Sequence, residues 1–80
     1  MTKHEARQNL LDTAEKILEE RGIVEKIYEK NKEMNPVYIH EAESEEEMML
    51  IFRAGYLLGY SMKPIDDNGK YSVKFDWSMP

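Results

Sequence analysis

The sequence predicts one small α+β domain over residues 1–80. It comprises an N-terminal amphipathic helix, kinked or broken at Gly22, then a short strand, a buried central helix, and a C-terminal strand or hairpin that completes a two- to three-stranded sheet. Three patterns predict this. Leu10, Leu11, Ala14, Ile17 and Leu18 recur at helical spacing. Residues 48–62 are apolar almost without interruption. Tyr71-Ser72-Val73-Lys74-Phe75-Asp76-Trp77 alternates apolar with polar side chains, as a half-buried strand does.

The first helix begins at once, because Thr2-Lys3-His4-Glu5 has the Thr-x-x-Glu spacing of a capping box. Asp12–Lys16, Lys16–Glu20 and Arg21–Glu25 place opposite charges four residues apart on its wet face. At Gly22 two readings stand. The glycine either caps the helix and lets Ile23, Val24, Ile27 and Tyr28 start a second one, or sits inside a single long helix at a cost of about 1 kcal/mol. The two stripes are nearly in phase, which favours one continuous or kinked helix ending near Lys32. Asn35-Pro36 stops it, since a residue before proline is pushed out of the helical region.

Val37-Tyr38-Ile39-His40 then reads as a short strand. Ser44-Glu45-Glu46-Glu47 is a second capping-box spacing, with three carboxylates in a first helical turn where the helix dipole favours negative charge. From Met48 the segment is apolar nearly all round: Met48, Ile51, Phe52, Gly55, Leu58, Gly59 and Met62 form one face, widened by Leu50, Ala54 and Leu57. Met49, Arg53, Tyr56 and Tyr60 make the line that meets water, with Arg53 placed to stack on two tyrosine rings. Asp66-Asp67-Asn68-Gly69 is a turn. Residues 60–66 are therefore either the end of the helix or the first strand of a hairpin, and Pro64 speaks against a central strand there.

Such a helix has more apolar surface than a small sheet and one further helix cover. Gly55 and Gly59 offer a flat strip for close backbone approach, either within the chain or across a dimer. The candidate interface is thus Gly55, Gly59, Phe52, Arg53, Tyr56, Tyr60 and Trp77, in the residue types that interfaces favour.

The net charge of −5 is uneven: −1 over residues 1–34, −4 over 35–62 and zero over 63–80. Glu43, Glu45 and Glu46 form a candidate acidic patch. An acidic surface that imitates nucleic acid to block an enzyme would lose its inhibition on charge reversal at these three positions. The basic cluster Lys26, Lys30 and Lys32 is neutralised by Glu25, Glu29 and Glu33, which disfavours nucleic acid as a partner. The chain has no cysteine, which removes disulfides and thiolate metal sites and makes a cytoplasmic setting the default; no apolar run is long enough to cross a membrane.

No catalytic constellation stands out, and the expectation is a protein that is not an enzyme and carries no cofactor. The best metal candidate is His40-Glu41-Ala42-Glu43. Strand alternation would put His40 on the face opposite Glu41 and Glu43, which spoils a three-ligand cluster unless the chain turns at once.

Residues 7–24, RQNLLDTAEKILEERGIV, resemble the first helix of tetracycline-repressor-type regulators. The likeness covers under a quarter of the chain. That family continues into a helix-turn-helix, whereas EKIYEKNKEMNPVYIH follows here, so no DNA-reading role passes to any residue.

The function expected is therefore a small acidic protein-interaction module, homodimeric or bound to one macromolecular partner. In style it is similar to accessory proteins of phages and mobile elements, which often inhibit a host protein. Two alternatives are a dimeric nucleic-acid-associated regulator and a small-ligand-binding domain with a pocket lined by Tyr56, Tyr60 and Trp77.

Overall fold

The computed structural model describes residues 2–78. The chain runs α1 (Lys3–Glu20), α2 (Ile23–Lys32), β1 (Val37–Ala42), α3 (Glu45–Leu57), β2 (Met62–Asp67) and β3 (Lys70–Asp76). The strands form one antiparallel sheet in the order β1-β3-β2. α2 and α3 pack on the sheet, and α1 packs on α2 and α3. The architecture is the α+β layout expected.

Local chemistry sets each boundary. The Thr2 hydroxyl accepts from Glu5 N–H (3.1 Å) while the Glu5 carboxylate accepts from Thr2 N–H (3.4 Å), so the first capping box is complete. Gly22 divides the long helix into two, although the apolar stripes on either side are nearly in phase. Its φ of 71° turns the chain, its N–H bonds Glu19 O (3.0 Å), and its carbonyl accepts from Lys26 N–H (3.1 Å) as α2 begins. A strand follows α2, where the regulators that α1 resembles have their helix-turn-helix.

α2 ends in a Schellman motif, with Asn35 N–H donating to Lys30 O (2.9 Å) and Met34 N–H to Asn31 O (3.1 Å). The left-handed residue is Met34, with φ 61° and 90% exposure. A side chain in that conformation is strained, and this one packs against little. Met34→Gly is therefore expected to stabilise the protein by about 0.5–1 kcal/mol, the relief of strain less the added freedom of the unfolded chain. A urea midpoint that rises at constant slope checks it.

The central helix is shorter than its apolar pattern suggests. α3 ends at Leu57 because Gly59 takes φ 86° and closes a second Schellman motif: Tyr60 N–H bonds Gly55 O (2.9 Å) and Gly59 N–H bonds Tyr56 O (3.1 Å). Residues 62–67 are then a hairpin strand rather than the end of a helix. Asn68 (φ 52°) and Gly69 (φ 84°) make the two-residue turn that joins β2 to β3, with Asp67 opposite Lys70. Pro64 is accommodated because β2 lies at the edge of the sheet.

The core is thin. Its buried members are Ala14, Leu18, Ile23, Met48, Ile51, Ala54, Val73 and Phe75. No described residue of α1 before Ala14 is buried, so the N-terminal half of that helix stands clear of the core with Leu10 58% exposed. The radius of gyration is 13.4 Å, against about 12 Å for a compact chain of this length.

Candidate functional site

α3 separates the proposed interface residues by face. Its inner side carries the core residues Met48, Ile51 and Ala54, together with Gly55. A Cβ at Gly55 would land on Met62 Sδ, 2.9 Å from Met62 Cε and 3.5 Å from Phe75 Cε2. Gly55 is therefore the close-approach point for the protein's own β2 and β3, and it is buried. Gly59 lies in open space and is glycine for its backbone angle. The two do not form one strip: the helix ends between them and each serves a separate need.

The outer side of α3 gathers Phe52, Arg53, Tyr56 and Leu57 around a shallow apolar hollow of about 360 Å³. Tyr56 is 73% exposed, and Leu57 and Leu50 are also exposed. The expected stacking of Arg53 between two tyrosines does not form among the described residues, because Tyr60 leaves the helix and turns edge-on to Phe75 at 5.8 Å. The cation–π contact is instead Lys32 Nζ, 4.9 Å from the centre of the Tyr28 ring.

A second apolar site lies between α2 and the sheet. Val24, Ile27, Tyr28 and Asn31 repeat at helical spacing along one face of α2 and meet Tyr60, Ser61, Phe75 and Trp77 around a groove of about 280 Å³. Trp77 Nε1 donates to Asn31 Oδ1 (3.3 Å) and Trp77 N–H to Pro36 O (2.9 Å), which tie the end of β3 to the helix and to the approach to β1. Tyr60 and Trp77 thus line one groove, between α2 and the sheet. Tyr56 does not join them, because it belongs to the outer side of α3. Of the α2 residues of the groove, Val24, Ile27 and Tyr28 are marked in the sequence only as members of an apolar stripe, and Asn31 not at all.

The acidic segment is exposed at the start of α3. Glu45 and Glu46 share a hollow with Leu50 and Arg53, while Glu43 lies in the preceding bend on the side of His40. Of the second capping box only half forms. The Ser44 hydroxyl accepts from Glu47 N–H (3.1 Å), but the Glu47 carboxylate is taken by Arg21 Nε, whose Nη1 also donates to Ile17 O (2.9 Å). That pair joins the end of α1 to the start of α3. Of the three lysines of α2, Lys26 pairs with Glu29 (3.6 Å) and Lys32 covers Tyr28.

The same corner contains His40. Its Nδ1 lies 2.9 Å from the Tyr38 hydroxyl, which donates to it when the imidazole is neutral with its proton on Nε2. Burial holds His40 below the usual imidazole range, with Glu47 and Glu41 pulling upward and Arg21 downward. The hydrogen bond from Arg21 holds the Glu47 carboxyl below its usual range, with burial opposing. Both groups bind a proton more readily in the unfolded chain. His40's contribution to stability is therefore whole above about pH 6.5 and lost as pH falls below it. Glu47's is whole above about pH 4.5 and lost below that. The urea midpoint is expected to fall from pH 7.5 to 5.5, about one unit either side of that imidazole value, and His40→Gln to flatten that fall. An unchanged slope in the variant would remove His40 from the account.

Among the described residues, no group of three His, Asp or Glu side chains is placed to hold a metal ion. β1 alternates as expected, with His40 inward and Glu41 exposed. No helix among the described residues is long and apolar enough to cross a membrane. No protein-family model matches the chain, and neither a curated protein nor a solved structure matches it.

Proposed function

We propose that this chain is a small acidic protein-interaction module, working in the cytoplasm as a homodimer and engaging a macromolecular partner, and that it catalyses no reaction of its own. The observation that carries this reading is the outer side of α3. Phe52, Arg53, Tyr56 and Leu57 present large apolar surface and a guanidinium on the same rigid helix whose inner side forms the core. A surface on an element held by the core suits recognition, since little ordering is left to be done on binding. Aromatic side chains and arginine are the residues that dominate binding energy at such contacts. The acidic residues Glu43, Glu45 and Glu46 lie toward the N-terminal end of the same helix and would steer a basic partner. Inhibition of a host protein by a phage or mobile element is one setting that suits such a module.

The test is quantitative capture from the natural host with tagged wild type and with Tyr56→Ala/Leu57→Ala, both of which are exposed positions. A partner retained by wild type and lost by the variant supports the reading. Recovery of the same proteins with both would sink it.

A second reading, a small-ligand-binding domain, is favoured by the groove of Tyr28, Tyr60, Phe75 and Trp77. Trp77 emission should shift on titration with small aromatic compounds, and Phe75 and Tyr60 should shield it from quenchers. No change across such a series would leave the groove as packing alone.

A further inference from the structure

The two edges of the sheet are built differently. Asp76 N–H donates toward β2, to Ser61 O (3.0 Å), and Trp77 N–H toward β1, to Pro36 O (2.9 Å). The alternation of an antiparallel ladder then sorts the backbone of each outer strand. On β2, Lys63, Ile65 and Asp67 face β3, while Met62, Pro64 and Asp66 face outward. On β1, Tyr38, His40 and Ala42 face β3, while Val37, Ile39 and Glu41 face outward.

Pro64 leaves the β2 edge without a donor at its centre, and Lys63, Asp66 and Asp67 surround it with charge, both of which discourage strand addition. β1 has less protection: its one outward charge, Glu41, lies away from the centre of the strand. It contains neither proline nor lysine, and its central outward residue is Ile39, 52% exposed. Asn35 Oδ1 accepts from Val37 N–H (3.3 Å) at one end, and the remaining outward groups of Val37, Ile39 and Glu41 have no strand beside them among the described residues.

We infer that β1 is a docking edge for the β1 of a second copy of this chain, antiparallel and with Ile39 on the two-fold axis, so that two sheets join into one. This specifies the contact of the homodimer proposed above and rests on that reading. The strand's own pattern selects a second copy. In the register centred on Ile39, each Ile39 exchanges both backbone bonds with its counterpart, and each Glu41 N–H donates to the opposite Val37 carbonyl. Glu41 then lies opposite Val37 rather than another carboxylate, and Tyr38 lies opposite His40 on the inner face. A shift by two residues either way leaves outward groups beyond the end of the opposing strand and sets Tyr38 against Tyr38 or His40 against His40.

The test is sedimentation equilibrium of the full chain over a wide concentration range. Wild type is expected to dimerise. Ile39→Pro removes only an outward N–H, at a position matching that of Pro64 in β2, and is expected to remain folded by circular dichroism and to be monomeric. Register is read by cross-linking. The chain has no cysteine, so mild oxidation of Ile39→Cys should join two chains whose Cα atoms lie about 5.5 Å apart across the axis. Glu41→Cys, about 14 Å from its own counterpart in this register, should not cross-link.

A wild-type dimer that persists in folded Ile39→Pro, or that cross-links no better through position 39 than through position 41, overturns the edge contact while leaving the homodimer reading standing. A wild type that stays monomeric throughout overturns both. Should Ile39→Pro fail to fold, the cysteine pair decides the matter.

Discussion

Phe75→Ala is expected to destabilise the protein by about 3–5 kcal/mol, the range for removing a fully buried aromatic ring. Phe75 has no exposed surface. Its ring meets the edge of Tyr60 at 5.8 Å and stacks on Tyr38 at 6.3 Å, and it lies below Gly55 and forms part of the lining of the α2 groove. Few side chains remain to close over the space, because the core is so small. A domain of this length holds roughly 4–12 kcal/mol in total, so the variant should lose about a quarter or more of its urea midpoint. A loss below about 1 kcal/mol would mean that the aromatic cluster is not the centre of the fold.

Gly55→Leu is the second large effect, expected at about 2–3 kcal/mol or more, because an isobutyl group would have to displace Met62 and press on the Phe75 ring. The contrast with Gly59→Leu makes the prediction specific. Gly59 has open space around it, so its cost comes from the left-handed backbone alone, about 1–2 kcal/mol. Gly55→Ala should be mild, since the helix gains roughly 1 kcal/mol in propensity and the flexible end of Met62 can move. Equal losses for the two leucine variants in urea unfolding would contradict the separate roles assigned to these glycines.

These glycines also show how far the sequence could be read. Apolar periodicity placed α3 and the buried Met48, Ile51, Ala54 and Gly55, and alternation placed β3, because both patterns come from a residue's own position on a regular element. Periodicity also put Leu50, Phe52 and Leu57 on covered faces, yet Leu50 and Leu57 are exposed and Phe52 lies outward, while Met49 from the wet line packs on the core. The end of α3 was obscure for the same reason: Leu58, Gly59 and Met62 continue the helical stripe, and only the positive φ at Gly59 takes the chain out of it. Gly22 behaves alike, since stripes that stay nearly in phase carry no sign of the break between them. Glu47 marks a different limit. Its spacing from Ser44 reads as a local capping box, yet its carboxylate serves Arg21, a partner 26 residues away that no local pattern reveals.

The candidate site was legible in part. Phe52, Arg53 and Tyr56 are all in the candidate interface and do meet, together with Leu57, on the outer side of α3, although the apolar pattern assigned Phe52 and Leu57 to covered faces and Arg53 and Tyr56 to the wet one. The groove was partly anticipated through Tyr60 and Trp77, but its other wall is α2, whose approach to the sheet depends on the break at Gly22 and the turn at Met34. Assembly of distant segments, rather than chemistry within any one of them, decides which aromatics meet.

Native mass spectrometry of the protein, purified gently from its natural host, tests the central claim most directly, because it reports self-association and captured partners together. The account predicts a homodimer, alone or carrying a second protein. A bare monomer under conditions that preserve known complexes would contradict it and would mean that the outer side of α3 is surface with no partner to bind.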